Sequence, residues 1–108
     1  MKRGDIYLVK RGDPRDPKKQ RPFVIVSRSS LMDSAFPTVV CAPVTSKLAQ
    51  GLATQVNVGE LSGLKHDSAI LCDALVSIPK SALTDYRGHL SADEVIELDD
   101  ALAIALDL

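Results

Sequence analysis

The apolar residues of this chain arrive in short runs rich in β-branched side chains, and that pattern constrains the fold more than any other. Ile6-Tyr7-Leu8-Val9, Phe23-Val24-Ile25-Val26 and Val39-Val40-Cys41-Ala42-Pro43-Val44 are each bounded by Pro, Ser, Thr or charged residues. Runs of that length and composition read as strands rather than helices. The pattern predicts strands over Ile6–Lys10, Phe23–Ser27, Thr38–Val44, Thr54–Val58, Ser68–Cys72 and Leu75–Ile78. Within Thr54–Val58 the alternation has period two, the mark of a half-exposed strand. Pro43 interrupts the third run and predicts an edge or a bulge there, because proline cannot donate to a ladder.

Helical signals are few. Ser29–Ser34 predicts a short turn ended by Pro37, and Pro79–Leu83 a single turn with proline in its first position. The C-terminus is different. Ser91-Ala92-Asp93-Glu94 forms a capping box, followed by Val95, Leu98, Leu102, Ala105 and Leu106 at helical spacing. Its apolar stripe faces either the sheet or a second subunit. The chain of 108 residues is therefore expected to be one domain, 1–108, with a single core. The class is mainly β with helical decoration: an all-β barrel or a strongly bent antiparallel sheet, short helices and a C-terminal helix.

No apolar run approaches the ~18 residues of a membrane span, and the basic start Met1-Lys2-Arg3-Gly4-Asp5 is no signal peptide. A cytoplasmic protein is expected. Cys41 and Cys72 sit inside β-type runs and read as small buried residues, with no zinc spacing around them. The net charge of −1 conceals a strong polarity. Residues 1–28 hold nine Lys and Arg against three Asp, while residues 29–108 hold four against eleven Asp and Glu. A basic first segment reads either as a solvated loop or as a face for a polyanion.

Two apolar runs carry polar groups at one end: Arg21 opens the second run, and Thr45-Ser46 closes the third. If these runs pair antiparallel, a permanent cation meets two hydroxyls at one edge, an arrangement suited to a phosphate.

Several blocks stand in a telling order: Arg3-Gly4-Asp5-Ile6-Tyr7-Leu8-Val9, Arg21-Pro22, Pro43-Val44-Thr45-Ser46, Asp67-Ser68-Ala69-Ile70-Leu71-Cys72-Asp73 and Gly88-His89-Leu90-Ser91. Together they resemble the MazF/PemK/Kid toxins of bacterial toxin–antitoxin pairs over essentially the whole chain. The resemblance implies an SH3-like barrel, a homodimer, and sequence-specific cleavage of single-stranded RNA with no metal or other cofactor. It also implies a cognate antitoxin whose acidic tail blocks the RNA groove, and DNA binding together with that antitoxin. By position, Arg21 and Thr45 match the residues to which the family's catalysis is chiefly assigned, and Asp73 matches a carboxylate proposed for Kid-like members. Kid-like toxins carry an Arg where this chain has Leu71, and a His in the first loop, which residues 11–20 lack. The chain is closer to the MazF arrangement of Arg and Thr.

Metal-free RNA cleavage uses the 2′-OH as nucleophile and gives a 2′,3′-cyclic phosphate and a 5′-OH. It requires charge stabilisation at phosphorus, a proton acceptor and a proton donor. Arginine supplies the first, since its fork fits phosphate oxygens and stays charged, which also makes it a poor base. Thr45 can donate one hydrogen bond, although a threonine ending a strand also serves as a backbone cap. Asp73 reads equally as a base or as a turn-former before Ala74. His66 and His89 read as surface or structural residues, and Ser46 and Ser27 as supporting hydroxyls. Lys10, Arg11, Arg15, Lys18 and Lys19 are the expected phosphate-backbone contacts, with Gln20 and the segment 47–51 choosing bases. Two alternatives stay open: a CcdB-like toxin that binds gyrase without cutting RNA, and an RNA-binding module without catalysis.

Overall fold

A computed structural model describes residues 1–10, 20–46, 52–59 and 67–108. Seven strands precede one helix: β1 (Asp5–Lys10), β2 (Gln20–Ile25), β3 (Thr38–Thr45), β4 (Gln55–Val58), β5 (Ser68–Leu71), β6 (Val76–Pro79), β7 (Asp85–His89) and α1 (Ala92–Ala105). Single turns of 3₁₀ helix at Ser29–Leu31, Cys72–Ala74 and Lys80–Ala82 join them. All pairings are antiparallel, in the order β4-β5-β3-β2-β1-β7, with β6 added to β3. The result is a curled half-barrel sheet with one C-terminal helix. It is the strongly bent antiparallel sheet that the strand pattern predicts.

β3 is the hub. On one flank it pairs with β2 through Phe23↔Pro43, Val24↔Ala42 and Ile25↔Cys41. Its other flank is divided: Thr38–Cys41 pair with β6, and Val44–Thr45 pair with β5. Pro43 is therefore neither at an edge nor in a bulge, and the expectation from sequence is corrected. The Val26 N–H donates to the Val40 carbonyl at 3.0 Å. Because bonded and non-bonded pairs alternate, the nitrogen of Pro43 points away from β2. It faces the gap between the end of β5 and the start of β6, where no N–H is needed.

Two apolar clusters lie on opposite faces of the sheet. Even-numbered residues of β1–β3, β4 and β5 (Ile6, Val24, Ala42, Val44, Val56, Val58, Ile70) pack with Leu98, Ala101 and Leu102 of α1. Odd-numbered Tyr7, Val9, Phe23, Ile25, Val39 and Cys41 pack with Ile78 and Leu83. The stripe of α1 thus faces the sheet, although Leu106 lies at the helix end and is exposed. The helix starts where the capping box predicts: Ser91 Oγ accepts from the Glu94 N–H at 3.2 Å, and the Ser91 N–H donates to Glu94 Oε1 at 2.8 Å.

The N-terminal residues bind sheet to helix. The Arg3 Nε–H donates to the Val26 carbonyl at 2.9 Å, and its guanidinium pairs with Asp99 of α1. This cation of the basic segment is thereby spent on the fold. Gly4 has φ +92°, and a Cβ there would stand 3.2 Å from the His89 ring. The adjoining Asp5 is buried, accepting from the Lys2 N–H at 2.8 Å and pairing with His89 Nδ1 at 2.7 Å.

Strand limits differ from the sequence expectation for local reasons. β2 begins at Gln20, because β1 pairs with it as far as Lys10↔Gln20. It ends at Ile25, because the Val26 and Ser27 N–H groups both donate to one carbonyl, that of Val40. β7 is not legible as a strand. Its residues Asp-Tyr-Arg-Gly-His carry no apolar alternation, and its ladder with β1 skips Arg87. Ser91→Ala removes one half of the cap and is expected to cost about 1 kcal/mol of stability. Urea unfolding followed by circular dichroism would show this as a lower midpoint at unchanged slope.

Candidate functional site

The β2–β3 register determines how the polar ends of the two strands meet. Arg21 is the second residue of β2, exposed and opposite Val9 of β1. Thr45 is the last residue of β3, half-buried and opposite Ala69 of β5. Each lies two residues beyond the pair Phe23↔Pro43. Continued by those two residues, the same register sets Arg21 opposite Thr45. Both are odd-numbered, so both belong to the sheet face of Phe23 and Cys41 and not to the face of α1. Adjacent strands run about 5 Å apart, a separation that an arginine side chain spans easily. Ser46 follows directly and is exposed.

The segments 11–19 and 47–51 attach at this end of the sheet, through Lys10, Gln20 and Ser46. Lys10 and Gln20 form the terminal pair of β1 and β2. Arg11, Arg15, Lys18 and Lys19, together with the segment 47–51 and His66, lie outside the described residues. Among the described residues the guanidinium of Arg21 makes no ion pair, in contrast to Arg3 and Arg87.

Other candidates have different surroundings. Asp73 lies in the 3₁₀ turn between β5 and β6, where its Oδ2 accepts the Thr54 hydroxyl at 2.6 Å. It is four residues along from Ala69, the partner of Thr45, and its described contact is with β4's approach rather than with Arg21. Ser27 is at the far end of the β2–β3 pair, six residues from Arg21. Its hydroxyl accepts the Val40 N–H at 2.7 Å and substitutes for a ladder carbonyl, so the supporting role expected for it at the phosphate is corrected. His89 is taken up with Asp5 on the β1–β7 side, in keeping with a structural role.

Cys41 and Cys72 are free and buried, as expected. Burial pushes the Cys41 thiol up to about 12, and burial with the nearby Asp73 charge pushes Cys72 up to about 11. Neither is a nucleophile at neutral pH. A residue pair that sequence reasoning did not connect to this edge is Gln55 and Asn57 of β4. The period-two alternation of that strand is the signal that would have placed both on one face.

The fold finds its counterpart in known proteins. A family model described as "PemK-like, MazF-like toxin of type II toxin-antitoxin system" matches residues 2–106. The chain belongs to this family. The relative named Endoribonuclease MazF6, from Mycobacterium tuberculosis (strain ATCC 25618 / H37Rv), is 32% identical over 113 residues, spanning 100% of this chain and 98% of that protein. The solved structure of Mycobacterium tuberculosis toxin MazF-mt6 superimposes with a TM-score of 0.82 at 31% identity, covering 96% of this chain and 97% of its own. A mycobacterial endoribonuclease solved in complex with its cognate antitoxin gives a TM-score of 0.84 at 25% identity, covering 100% and 96%. The MazF-like half-barrel is thus the fold, and no helix among the described residues is long and apolar enough to cross a membrane.

The buried thiols have a measurable consequence. Both folded pKa values are raised above the ordinary 9.0, so the native state favours the protonated thiols more strongly than the unfolded chain does. That contribution is complete below pH 9 and is lost as pH rises toward 12. Stability measured by urea unfolding is expected to fall over this window, and to fall less steeply in a Cys41→Ala, Cys72→Ala double variant. Equal slopes in the two proteins would remove the thiols as the cause.

Proposed function

We propose that this MazF-family toxin, an endoribonuclease by kinship, cleaves single-stranded RNA at the Arg21–Thr45 edge without a metal ion. The 2′-oxygen attacks the adjacent phosphorus, forming a P–O bond as the bond to the 5′-oxygen breaks. The products are a 2′,3′-cyclic phosphate and a 5′-OH. The 2′-OH proton leaves as the nucleophile forms, and the departing 5′-oxygen gains one. Arg21 holds two phosphate oxygens in its fork and stabilises the charge that builds on them. Thr45 donates a hydrogen bond to the same phosphate. Ser46 supports it from the next position.

Asp73 is the carboxylate proposed to accept the 2′-OH proton. Its bond to Thr54 competes with that role, so its contribution is the smaller one. Arg11, Arg15, Lys18 and Lys19 draw in the RNA backbone, with Gln20 at the start of β2. Affinity then falls as salt rises. The toxin acts as a homodimer, and a cognate antitoxin blocks the same groove with an acidic tail. A relative's structure with its own cognate antitoxin supports such a partner.

The observation that carries this reading is the β2–β3 register, which, continued by two residues, sets Arg21, exposed and without an ion pair among the described residues, on one edge and one face with Thr45. The test is cleavage of single-stranded RNA by purified protein in EDTA. Wild type is expected to cut at a short motif. Arg21→Ala should lower the rate at least ~10²-fold, as loss of a charge-stabilising donor does, with melting temperature unchanged. Arg21→Lys should also be impaired, since an ammonium lacks the fork, whereas Asp73→Asn should lose less. Undiminished cleavage by Arg21→Ala would remove Arg21 from the mechanism. Intact RNA together with inhibited gyrase supercoiling would favour the CcdB-like alternative.

A further inference from the structure

The pairing registers extend the Arg21–Thr45 line beyond the proposed cleavage residues. Thr45 pairs with Ala69 of β5, and Ala69 pairs on its other side with Asn57 of β4. Thr45, Ala69 and Asn57 therefore form one row, which the β2–β3 register continued by two residues extends to Arg21, with only a methyl group between Thr45 and Asn57. Val56 and Val58 are buried in the cluster beneath α1. Side chains alternate along a strand, so Gln55 and Asn57 turn to the opposite face, that of Arg21 and Thr45. The burial of β4 follows this pattern, with Asn57 exposed.

Nothing among the described residues accounts for these two carboxamides. β4 is the terminal strand of its side of the sheet, and asparagine is poorly suited to strands. The side chain of Asn57 makes no hydrogen bond among the described residues. Gln55 is one row further along the same face, and its Oε1 is buried without a hydrogen-bond partner. An acceptor in that condition costs stability unless something else satisfies it.

Resting on the cleavage reading above, we infer that Asn57, with Gln55 beside it, reads a base of the RNA next to the scissile phosphate. Two strand spacings separate Asn57 from Thr45, about 10 Å between backbones. A phosphate held by Arg21 and Thr45 therefore leaves a neighbouring base within reach of β4. A carboxamide offers one acceptor and two donors in a plane, and it forms paired hydrogen bonds with the edge of an unstacked base. Asn57 and Gln55 thus determine specificity, while the phosphate chemistry stays with Arg21 and Thr45. This differs from the sequence expectation, which assigned base choice to Gln20 and the segment 47–51.

The test is a digest of a random-sequence RNA pool, with 5′ ends sequenced, for wild type, Asn57→Ala and Asn57→Asp. For Asn57→Ala, discrimination at one position beside the cut should fall about tenfold, within the range for one paired base contact. The loss should fall on RNAs carrying the preferred base, and RNAs with another base there should be cut much as before, because the phosphate clamp is untouched. Asn57→Asp should change which base is preferred at that position, since a carboxylate can only accept. Circular dichroism confirms that each variant is folded, and Asn57→Ser serves in place of any that is not. Wild type that cuts at a motif, with folded variants keeping every positional preference, would overturn this inference alone. A uniform loss of rate with preferences unchanged would overturn it too. Wild type that leaves the pool intact would overturn the cleavage reading, and this inference with it.

Discussion

β3 holds three partner strands, and a missing hydrogen-bond donor lets it do so. Along one flank it is paired by β2; along the other it changes partner from β6 to β5 between Cys41 and Val44. At such a change one residue faces neither partner, and an ordinary residue there would leave an unpaired N–H in the middle of a sheet. Pro43 has none to leave. The division lets the β4–β5 pair diverge from β6, so that the sheet curls into a half-barrel and offers one face to α1 and the other to Ile78 and Leu83.

The curl sorts residues by parity. Even positions of the central strands pack under α1, and odd positions face away. The odd set is apolar where β6 and the turn after it cover it, and at the opposite end it carries Arg21, Thr45 and Asn57 beside the buried Val9 and Ala69. The core and the candidate site are thus two ends of the same face. A packed apolar end keeps the register of β2 on β3 from slipping, since a one-residue shift would send Phe23 and Ile25 to the wrong side. The geometry at Arg21 depends on that register. Precision at the polar edge comes from packing at the other end.

The charged residues divide similarly between fold and function. Arg3 joins β2's exit to α1 through Val26 and Asp99, and the Lys80 ammonium donates to the Leu31 and Ser34 carbonyls at 2.7 and 2.8 Å. Asp5 and His89 hold β1 to β7. Among the described residues, Arg21 has no such ion pair.

Local signals were legible in the sequence wherever neighbours along the chain supply the physics. The capping box at Ser91 and Glu94, the alternation in Thr54–Val58 and the buried character of Cys41 and Cys72 all depend on short-range pattern. β7 escaped because an exposed edge strand needs no apolar alternation, only β1 beside it. Pro43 was misjudged because proline's usual confinement to edges assumes a strand with one partner per flank. Ser27 was misjudged because its hydroxyl is claimed by Val40, thirteen residues away. The sequence alone determined β1–β6 and α1, the family blocks and the residue chemistry of Arg21 and Thr45, since these depend on residue type and spacing. Tertiary structure decided which residues share a row, because register across four strands is set by packing on both faces of a curled sheet. It is that register which adds Asn57 to the line.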